Sequence, residues 1–462
     1  MYRLELKRLL RSKVFIVTAV IMLAYFIYLN VVSGRMYYSG LEERKQSAQQ
    51  VNSYLSGISQ QGGDGDMLKA LRERRTQAWD GFWALNSELE ETPAYIKTES
   101  PDGSVVSRLA DPVPEEYKDK VEQMQQLSDE AIMLDSIMKV MDYQLNIYPK
   151  AMRSTLEKAL VLINDPDQDA YTVRLNKKAV DKYNVKREFA FIDSSLAHTW
   201  NGTYTFMYDY FYIVLAVVFV FLSAEVFCSA RSNRLEGIIY TSKYGRSRLF
   251  CMKYLSLATV AFAAVLVFTM SDIITAYSVM GGQLIMQPIQ IMSEYQLSAA
   301  GINILSLILI CGALRLLMLL FVIALAGAVS SLSRNVFISA VINSVIMFTM
   351  FALYVYSSGY MIQGDIGSPE ETFDGARFDM FEKLRAFLPA CLVQPHVYFE
   401  KFDYINIADY PFLRLTTCIT VTAAASLLMF AFAYYRFGNV LGVLPRSIRR
   451  KNKIKLQRSE SQ

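Results

Sequence analysis

Apolar residues are concentrated in six runs along the chain, each about as long as a membrane-crossing helix. About 20 mainly apolar residues span the roughly 30 Å hydrocarbon layer of a bilayer. The fourth run is long enough to tilt, or to be broken near Gly312. The six predicted transmembrane helices cover residues 14–32, 211–228, 254–276, 302–330, 336–356 and 415–435.

The long polar stretch between the first two runs has a helical rhythm of its own. Apolar residues recur roughly every 3.5 positions, which predicts long helices. Residues 35–206 are therefore predicted to form a mainly helical domain. Its apolar stripes would form the domain's own core or, alternatively, a coiled coil that binds a partner. The stripes are Tyr37, Leu41, Ala48, Val51, Leu55 and Ile58, then Tyr117, Val121, Met124, Ala131, Leu134, Met138, Met141 and Leu145.

Lysine and arginine are sorted to one side of the predicted spans, which sets the expected orientation. The basic side contains an amphipathic segment at residues 1–13, the 229–253 loop and a basic tail at residues 436–462. Both termini are therefore expected in the cytoplasm, and residues 35–206 and 357–414 outside it. Part of residues 357–414, around Pro389 and Pro395, is apolar but too short to span and predicts a re-entrant or interfacial segment.

These patterns together predict an all-α polytopic membrane protein in which a mainly helical extracytoplasmic domain follows the first of six transmembrane helices. The composition agrees, because 53% of the 462 residues are hydrophobic and only 19% are charged. The net charge of +4 divides into −6 for residues 35–206 and +10 for the remainder. A cysteine-free exported domain suits an envelope without obligatory disulfide formation, so we expect a bacterial, Gram-positive-like plasma membrane.

The residues needed for most enzymatic chemistry are scarce. Five cysteines without a CxxC pair and two histidines argue against a metal ribbon or a disulfide scaffold. The chain has no GxxxxGK[ST], GxSxG or HExxH motif. We therefore expect a protein that is not an enzyme, holds no cofactor or metal and does not hydrolyse ATP itself.

Two charged residues fall inside apolar runs, where an unpaired charge is costly. Glu225 lies near the end of the second run, with Arg231 or Arg234 as its expected partner. Arg315 lies near the middle of the fourth run, and Asp272 and Asp209 are the acids available to it. Arg315 and Asp272 are thus candidates either for a structural charge pair or for a substrate pathway through the membrane.

The loop between the second and third runs carries the most informative sequence. Its apolar positions Leu235, Ile238 and Ile239 give a short helix an apolar face that needs a docking partner or a lipid surface. The loop and its surroundings resemble the permease subunit of ABC-2 type (type V) ABC transporters, especially the Firmicutes branch with a large domain after the first helix. The residues that match the family's coupling loop are Glu225, Glu236, Gly237, Thr241, Lys243, Tyr244, Gly245, Arg246 and Lys253.

The resemblance implies a division of labour between subunits. Two permease subunits, identical or different, would pair with two separate ABC ATPase subunits, and the matching loop residues would form the coupling helix that binds the ATPase. Residues 1–13 would be the elbow helix at the bilayer surface. The resemblance further implies export or extraction of peptides, antibiotics, lipids or polysaccharides, with lipid but no nucleic acid among the partners.

Two other classes remain open on the sequence alone. A membrane sensor or structural protein would use the helical outer domain to bind a ligand or the cell wall, but the longest loop on the basic side is too short for a signalling domain. A secondary transporter would use the intramembrane charges and would not need an ATPase. It would also be expected to contain internal repeats.

Overall fold

The computed structural model describes residues 2–38, 45–46, 48–53, 64–99, 105–184, 195–201, 206–232, 247–333, 335–363, 387–400 and 402–438. In chain order its main elements are α1 (Tyr2–Leu10), α2 (Lys13–Tyr38), α3 (Asp64–Glu90), β1 (Tyr95–Glu99), β2 (Val105–Leu109), α4 (Lys118–Asp142), α5 (Tyr148–Asn164), α6 (Ala170–Tyr183), α7 (Ser195–Trp200), α8 (Phe206–Ser232), α9 (Ser247–Ile285), α10 (Ile304–Leu332), α11 (Val336–Gln363), β3 (Tyr404–Ile407), β4 (Tyr410–Leu413) and α12 (Arg414–Gly438). We call the described residues between 64 and 201 the inserted domain.

Helices α8 to α12 are each long and apolar enough to cross a membrane. They correspond to the second to sixth predicted spans. A further candidate consists of α1 and α2 together, whose axes meet at 60°. The prediction of a mainly helical membrane protein is confirmed, and the count of six spans stays a prediction.

Helix α10 is the centre of this bundle and packs against α8, α9, α11 and α12. Small residues allow its neighbours to approach closely. At Gly327, a Cβ atom would lie 3.3 Å from the Phe250 ring and 3.4 Å from the Phe227 ring. The side chains of α10, nearly all of them apolar, are therefore mostly buried against the neighbouring helices.

Helix α10 is continuous, so the alternative of a break near Gly312 is wrong. Asn303 caps its first turn, because its side-chain oxygen accepts a hydrogen bond from the Ser306 amide at 2.8 Å. A Cβ atom at Gly312 would lie 2.5 Å from the Thr269 hydroxyl oxygen on α9. The glycine therefore lets two helices approach and does not interrupt its own helix.

Helix α9 extends beyond its predicted end at residue 276 as far as a kink at Gly281, after which a short helical continuation reaches Ile285. Its last part includes Gly281, whose φ of 76° lies in the left-handed region that favours glycine. Two short 3₁₀ turns follow before α10 begins. We call residues 286–303 the α9–α10 linker.

The inserted domain is built on an antiparallel pair of long helices, α3 and α4. Ion pairs join them near their middle, Arg74 with Glu130 at 2.7 Å, and at one end, Lys120 with Glu88 at 2.6 Å. Apolar residues of the second predicted stripe are buried against α3 within the domain itself. The fully or largely buried members are Val121, Met124, Ala131, Leu134 and Met141.

Helix α4 continues through one π-helical turn, Tyr143–Ile147, into α5. Helices α5 and α6 pack together, and their core also includes Phe402 and Tyr404 from outside the inserted domain. On the side towards the bundle, side chains of this region form hydrogen bonds with the segments that precede α10 and α12. The hydrogen bonds run from the side chains of Tyr143, Tyr183, Arg174 and Lys178 to the carbonyl oxygens of Gln290, Leu297, Asp409 and Pro411, respectively.

Two short β-hairpins depart from the all-α prediction. Strands β1 and β2 pair in antiparallel register, with Tyr95 opposite Leu109. Strands β3 and β4 pair around Ala408 and Asp409, whose φ values of 52° and 62° fit a type I′ turn. β-Branched residues such as Ile405 favour strand over helix at these positions, a local signal that the search for apolar spans did not detect.

Candidate functional site

Arg315 forms a buried ion pair with Asp209. Its Nη2 atom donates to Asp209 Oδ1 at 2.6 Å, and the two residues are only 4% and 1% exposed. A buried charge without a partner is strongly unfavourable, whereas a close pair with further hydrogen bonds offsets much of the desolvation cost. The pair therefore joins α10 to the first turn of α8 and explains how a mid-helix arginine is tolerated.

Arg315 also holds a segment that belongs to no spanning helix. Its Nε atom donates to the carbonyl oxygen of Val393 at 3.3 Å, and its guanidinium lies 4.6 Å from the centre of the Tyr212 ring. Val393 ends the first of two 3₁₀ turns, Pro389–Val393 and Pro395–Phe399. We call residues 387–400 the buried 3₁₀ segment, because most of its side chains are shielded from solvent.

The buried 3₁₀ segment contributes two polar side chains that sequence reasoning missed. His396 Nδ1 lies 3.6 Å from Asp209 Oδ2. Gln394 accepts a hydrogen bond from the Tyr354 hydroxyl of α11 at 2.6 Å. The Gln394-Pro395-His396 sequence, polar residues around a proline within an apolar stretch, was the available signal.

Asp272, the acid paired with Arg315 among the predicted candidates, has a different direct partner. Its carboxylate accepts a hydrogen bond from Trp200 Nε1 on α7 at 3.3 Å. It still lies close enough to Arg315 to interact electrostatically. The structure thus makes Asp209 the ion-pair partner, because the first turn of α8 packs directly beside Arg315, and it makes Asp272 the anchor of α7. We call Asp209, Arg315, Asp272, Trp200 and His396 the buried charge cluster.

At the opposite end of α8, a second polar group gathers around Glu225. The hydroxyl of Ser12, between α1 and α2, donates to Glu225 Oε2 at 3.4 Å. Lys253 is 2% exposed, and its Nζ atom donates to the carbonyl oxygen of Val226 at 2.6 Å. Because Lys253 is on α9 and Val226 on α8, this hydrogen bond joins the two helices that bracket residues 233–246. Ser12, Glu225 and Lys253 line a cleft between these helices. Glu5 and Arg8 of α1 line the same cleft.

Most of the predicted coupling residues lie outside the described part of the chain. So do Arg234 and the side chain of Arg231, the partners expected for Glu225, and Ser12 is the partner that the described residues show. The coupling residues that lie outside the described ranges are Glu236, Gly237, Thr241, Lys243, Tyr244, Gly245 and Arg246.

Two tyrosines attach the α9–α10 linker to its surroundings as hydrogen-bond donors. Tyr143 donates to the Gln290 carbonyl at 2.8 Å, and Tyr295 donates to Asn201 Oδ1 at 3.1 Å. Burial raises the pKa of both Tyr143 and Tyr295 above the usual value for tyrosine. Both hydroxyls therefore stay protonated, and able to donate, at any physiological pH.

A family model described as ABC-2 family transporter protein matches residues 87–394. That match covers more than half of the chain. The chain belongs to the ABC-2 transporter family. Among curated proteins and among solved structures, nothing matches the chain.

Membership of the ABC-2 family indicates in what kind of protein the buried charge cluster and the polar group around Glu225 occur. Permeases of this family are multi-pass membrane proteins, are generally not enzymes themselves and work with an ABC ATPase subunit. The matched region includes Asp209, Glu225, residues 233–246 and Arg315. It ends at Gln394, inside the buried 3₁₀ segment.

Proposed function

We propose that the chain is the transmembrane permease subunit of an ATP-driven exporter, in which residues 229–253 form the coupling helix and its flanks. Glu225, Glu236, Gly237, Thr241, Lys243, Tyr244, Gly245 and Arg246 would receive the motion of a separate ATPase subunit. Peptides, antibiotics, lipids and polysaccharides remain the candidate substrate classes. Two such permeases, identical or different, would form the pathway.

The observation that best supports this proposal is a direct contact between the end of α8 and the start of α9, the two helix ends on either side of residues 233–246. The Lys253–Val226 hydrogen bond joins α9 to α8, and Ser12 connects Glu225 of α8 to the elbow formed by α1 and α2. A push on residues 233–246 would therefore move both helices and the elbow together. Such a mechanical connection is what a coupling helix requires.

On the same proposal, the buried charge cluster is the gate at the far end of the same helices. Asp209 is in the first turn of α8, and Glu225 is near its end, so that one helix connects both polar groups. Motion of α8 would change the Asp209–Arg315 contact, and through Arg315 the position of the Val393 carbonyl. The buried 3₁₀ segment would then open or close the outer end of the pathway.

The proposal is tested by purifying the tagged chain from its native host and searching for a co-purifying protein with a P-loop. That ATPase is then reconstituted with the permease. Charge reversal at Glu236 and Arg246 (Glu236→Arg with Arg246→Glu) is expected to abolish the association and the permease-dependent ATPase stimulation. A charge reversal at Glu157 of the inserted domain serves as the matched control and is expected to change neither.

The proposal fails if no ATPase accompanies the chain. The coupling assignment fails separately if an ATPase co-purifies but its binding and stimulation survive the reversals at Glu236 and Arg246. Transport driven by an ion gradient without an ATPase would instead support a secondary transporter.

A further inference from the structure

The end of the α3–α4 pair that carries the β1–β2 hairpin has a cluster of aromatic side chains, of which Trp83 is exposed and Trp79 and Phe82 are half-buried. We call residues 79–99 and 105–130 the tip. Three rings cluster on α3, with centroid distances of 5.5 Å for Trp79–Phe82, 5.1 Å for Phe82–Trp83 and 6.5 Å for Trp79–Trp83. Trp83 is 60% exposed, and Ile96 of β1 is 42% exposed. Tryptophan in such a position is typical of binding surfaces, where burial of one ring contributes strongly to affinity.

The tip differs sharply in charge from the rest of the insertion. The tip contains 12 acidic and 4 basic residues, a net charge of −8. The remainder of residues 35–206 contains 15 acidic and 17 basic residues, a net charge of +2. The net charge of −6 for residues 35–206 is therefore the sum of a strongly acidic tip and a mildly basic remainder.

One acidic side chain lies beside the exposed tryptophan, and others lie elsewhere in the tip. Asp80 precedes Trp83 by three positions, and on a helix this spacing places two side chains side by side. Asp80 and Glu91 are both exposed. Glu88 pairs with Lys120, and Glu90 accepts a hydrogen bond from Ser107, so that these two acids are partly engaged within the tip.

The base of the inserted domain is fixed to the bundle, and the tip is far from that attachment. Tyr143, just after α4, donates to the Gln290 carbonyl. The aromatic rings lie beside Leu127 of α4, 3.2 Å from the Cβ position of Gly81, and Leu127 is 16 residues before Tyr143, about 24 Å along the helix at 1.5 Å per residue. The aromatic surface is thus presented well away from the transmembrane helices.

We propose that the tip binds cationic amphipathic peptides. Lysine or arginine side chains of such a peptide would be attracted by the −8 charge and would lie over the Trp83 ring, whose face is electron-rich. The peptide's apolar face would cover Trp79, Phe82 and Trp83. An anionic polymer or lipid would be repelled by the same charge. The inference rests on the proposed function, to which it adds the substrate class that the inserted domain would recognise.

The chain is well suited to a direct binding test, because Trp79 and Trp83 are two of its three tryptophans. The third, Trp200, is 2% exposed within the buried charge cluster. The full chain in nanodiscs of zwitterionic lipid is titrated with a tryptophan-free lysine/leucine amphipathic peptide of about 18 residues. We expect a blue shift of the tryptophan emission and protection from acrylamide. A glutamate/leucine peptide of matched length and empty nanodiscs are the controls.

Variants separate recognition by the tip from general attraction to an acidic domain. Trp83→Ala is expected to weaken peptide binding at least about tenfold, as removal of a central aromatic contact does, and Trp83→Phe to keep most of the affinity. Asp80→Asn with Glu91→Gln should weaken it and reduce its salt dependence. Glu157→Gln with Asp181→Asn removes the same charge from exposed positions outside the tip and should have no effect.

Equal binding of the peptide to the wild type, to Trp83→Ala and to Asp80→Asn with Glu91→Gln would overturn the inference, as would equal binding of the glutamate peptide. The permease–ATPase co-purification described above is independent of these readouts. Loss of peptide binding with intact ATPase association would therefore refute the role of the tip alone. Peptide binding without any ATPase partner would refute the exporter proposal alone.

Discussion

Arg315 shows how a single charge is accommodated within an otherwise apolar helix. At a helix centre its insertion into a membrane costs about 2.5–3.5 kcal/mol. The structure supplies three compensating groups from two parts of the chain: the Asp209 carboxylate and the Tyr212 ring of α8, and the Val393 carbonyl. Because all three are long-range contacts, the sequence could indicate the cost but not the partner.

We expect Arg315→Gln to destabilise the protein by about 3–5 kcal/mol, because Asp209 would be left buried without its counter-charge. The double variant with Asp209→Asn should lose less than the sum of the two single losses. Unfolding in detergent with increasing denaturant measures each term. Glu157→Gln, at an exposed position of the inserted domain, is the control. Additive losses for Asp209 and Arg315 would contradict the pairing.

At the scale of the element, the contact between α9 and α10 depends on a missing side chain. Gly312 faces Thr269, and a Cβ atom there would lie 2.5 Å from the hydroxyl oxygen and 3.1 Å from the Thr269 methyl carbon. A glycine in a long apolar run was open to two interpretations, a break or a close approach. Only the position of α9 decides between them.

Gly312→Ala is therefore expected to cost about 1–3 kcal/mol, the usual penalty for an overpacked core. Thr269→Ala combined with Gly312→Ala should recover most of the loss, since the clashing atoms are removed. Gly301→Ala, where no atom lies within 4 Å of the added Cβ, is the matched control. The measurement is the thermal midpoint in detergent. A destabilised double variant would indicate that Gly312 is needed for another reason.

For the molecule as a whole, the inserted domain is attached to two segments of the bundle, one directly before α10 and one directly before α12. It reaches the α9–α10 linker through Tyr143 and Tyr183 and the β3–β4 hairpin through Arg174 and Lys178. Arg174 also lies 4.1 Å from the centre of the Tyr410 ring. A change at the inserted domain would therefore reach α10 and α12, the two helices that follow these segments.

Replacing Arg174 and Lys178 together by alanine should loosen this attachment. We expect faster amide hydrogen exchange in α6 and in the β3–β4 hairpin, because carbonyls that now accept hydrogen bonds would lose their donors. Exchange within α10 should not change. Hydrogen-exchange mass spectrometry of the full chain gives both readouts, and Lys177→Ala, an exposed neighbour, is the control. Unchanged exchange in the hairpin would show that these contacts contribute nothing to the attachment.

The sequence by itself determined the features that depend on local composition. Runs of about 20 apolar residues specify membrane-spanning helices wherever they lie, since a bilayer requires them. The spacing of apolar residues specified helix α4 of the inserted domain, and the residues of the loop at 229–253 indicated the ABC-2 family that the family match then established. These signals are readable because each is contained within a short stretch of chain.

Only the tertiary structure decided the contacts between distant parts. It selected Asp209 rather than Asp272 for Arg315, brought His396 and Gln394 of the buried 3₁₀ segment to the cluster, and connected Lys253 to Val226. It also separated Trp83 from the attachment at Tyr143 by more than half the length of α4. Such pairings depend on how helices pack, and packing is determined by shape complementarity across the whole molecule rather than by any local pattern.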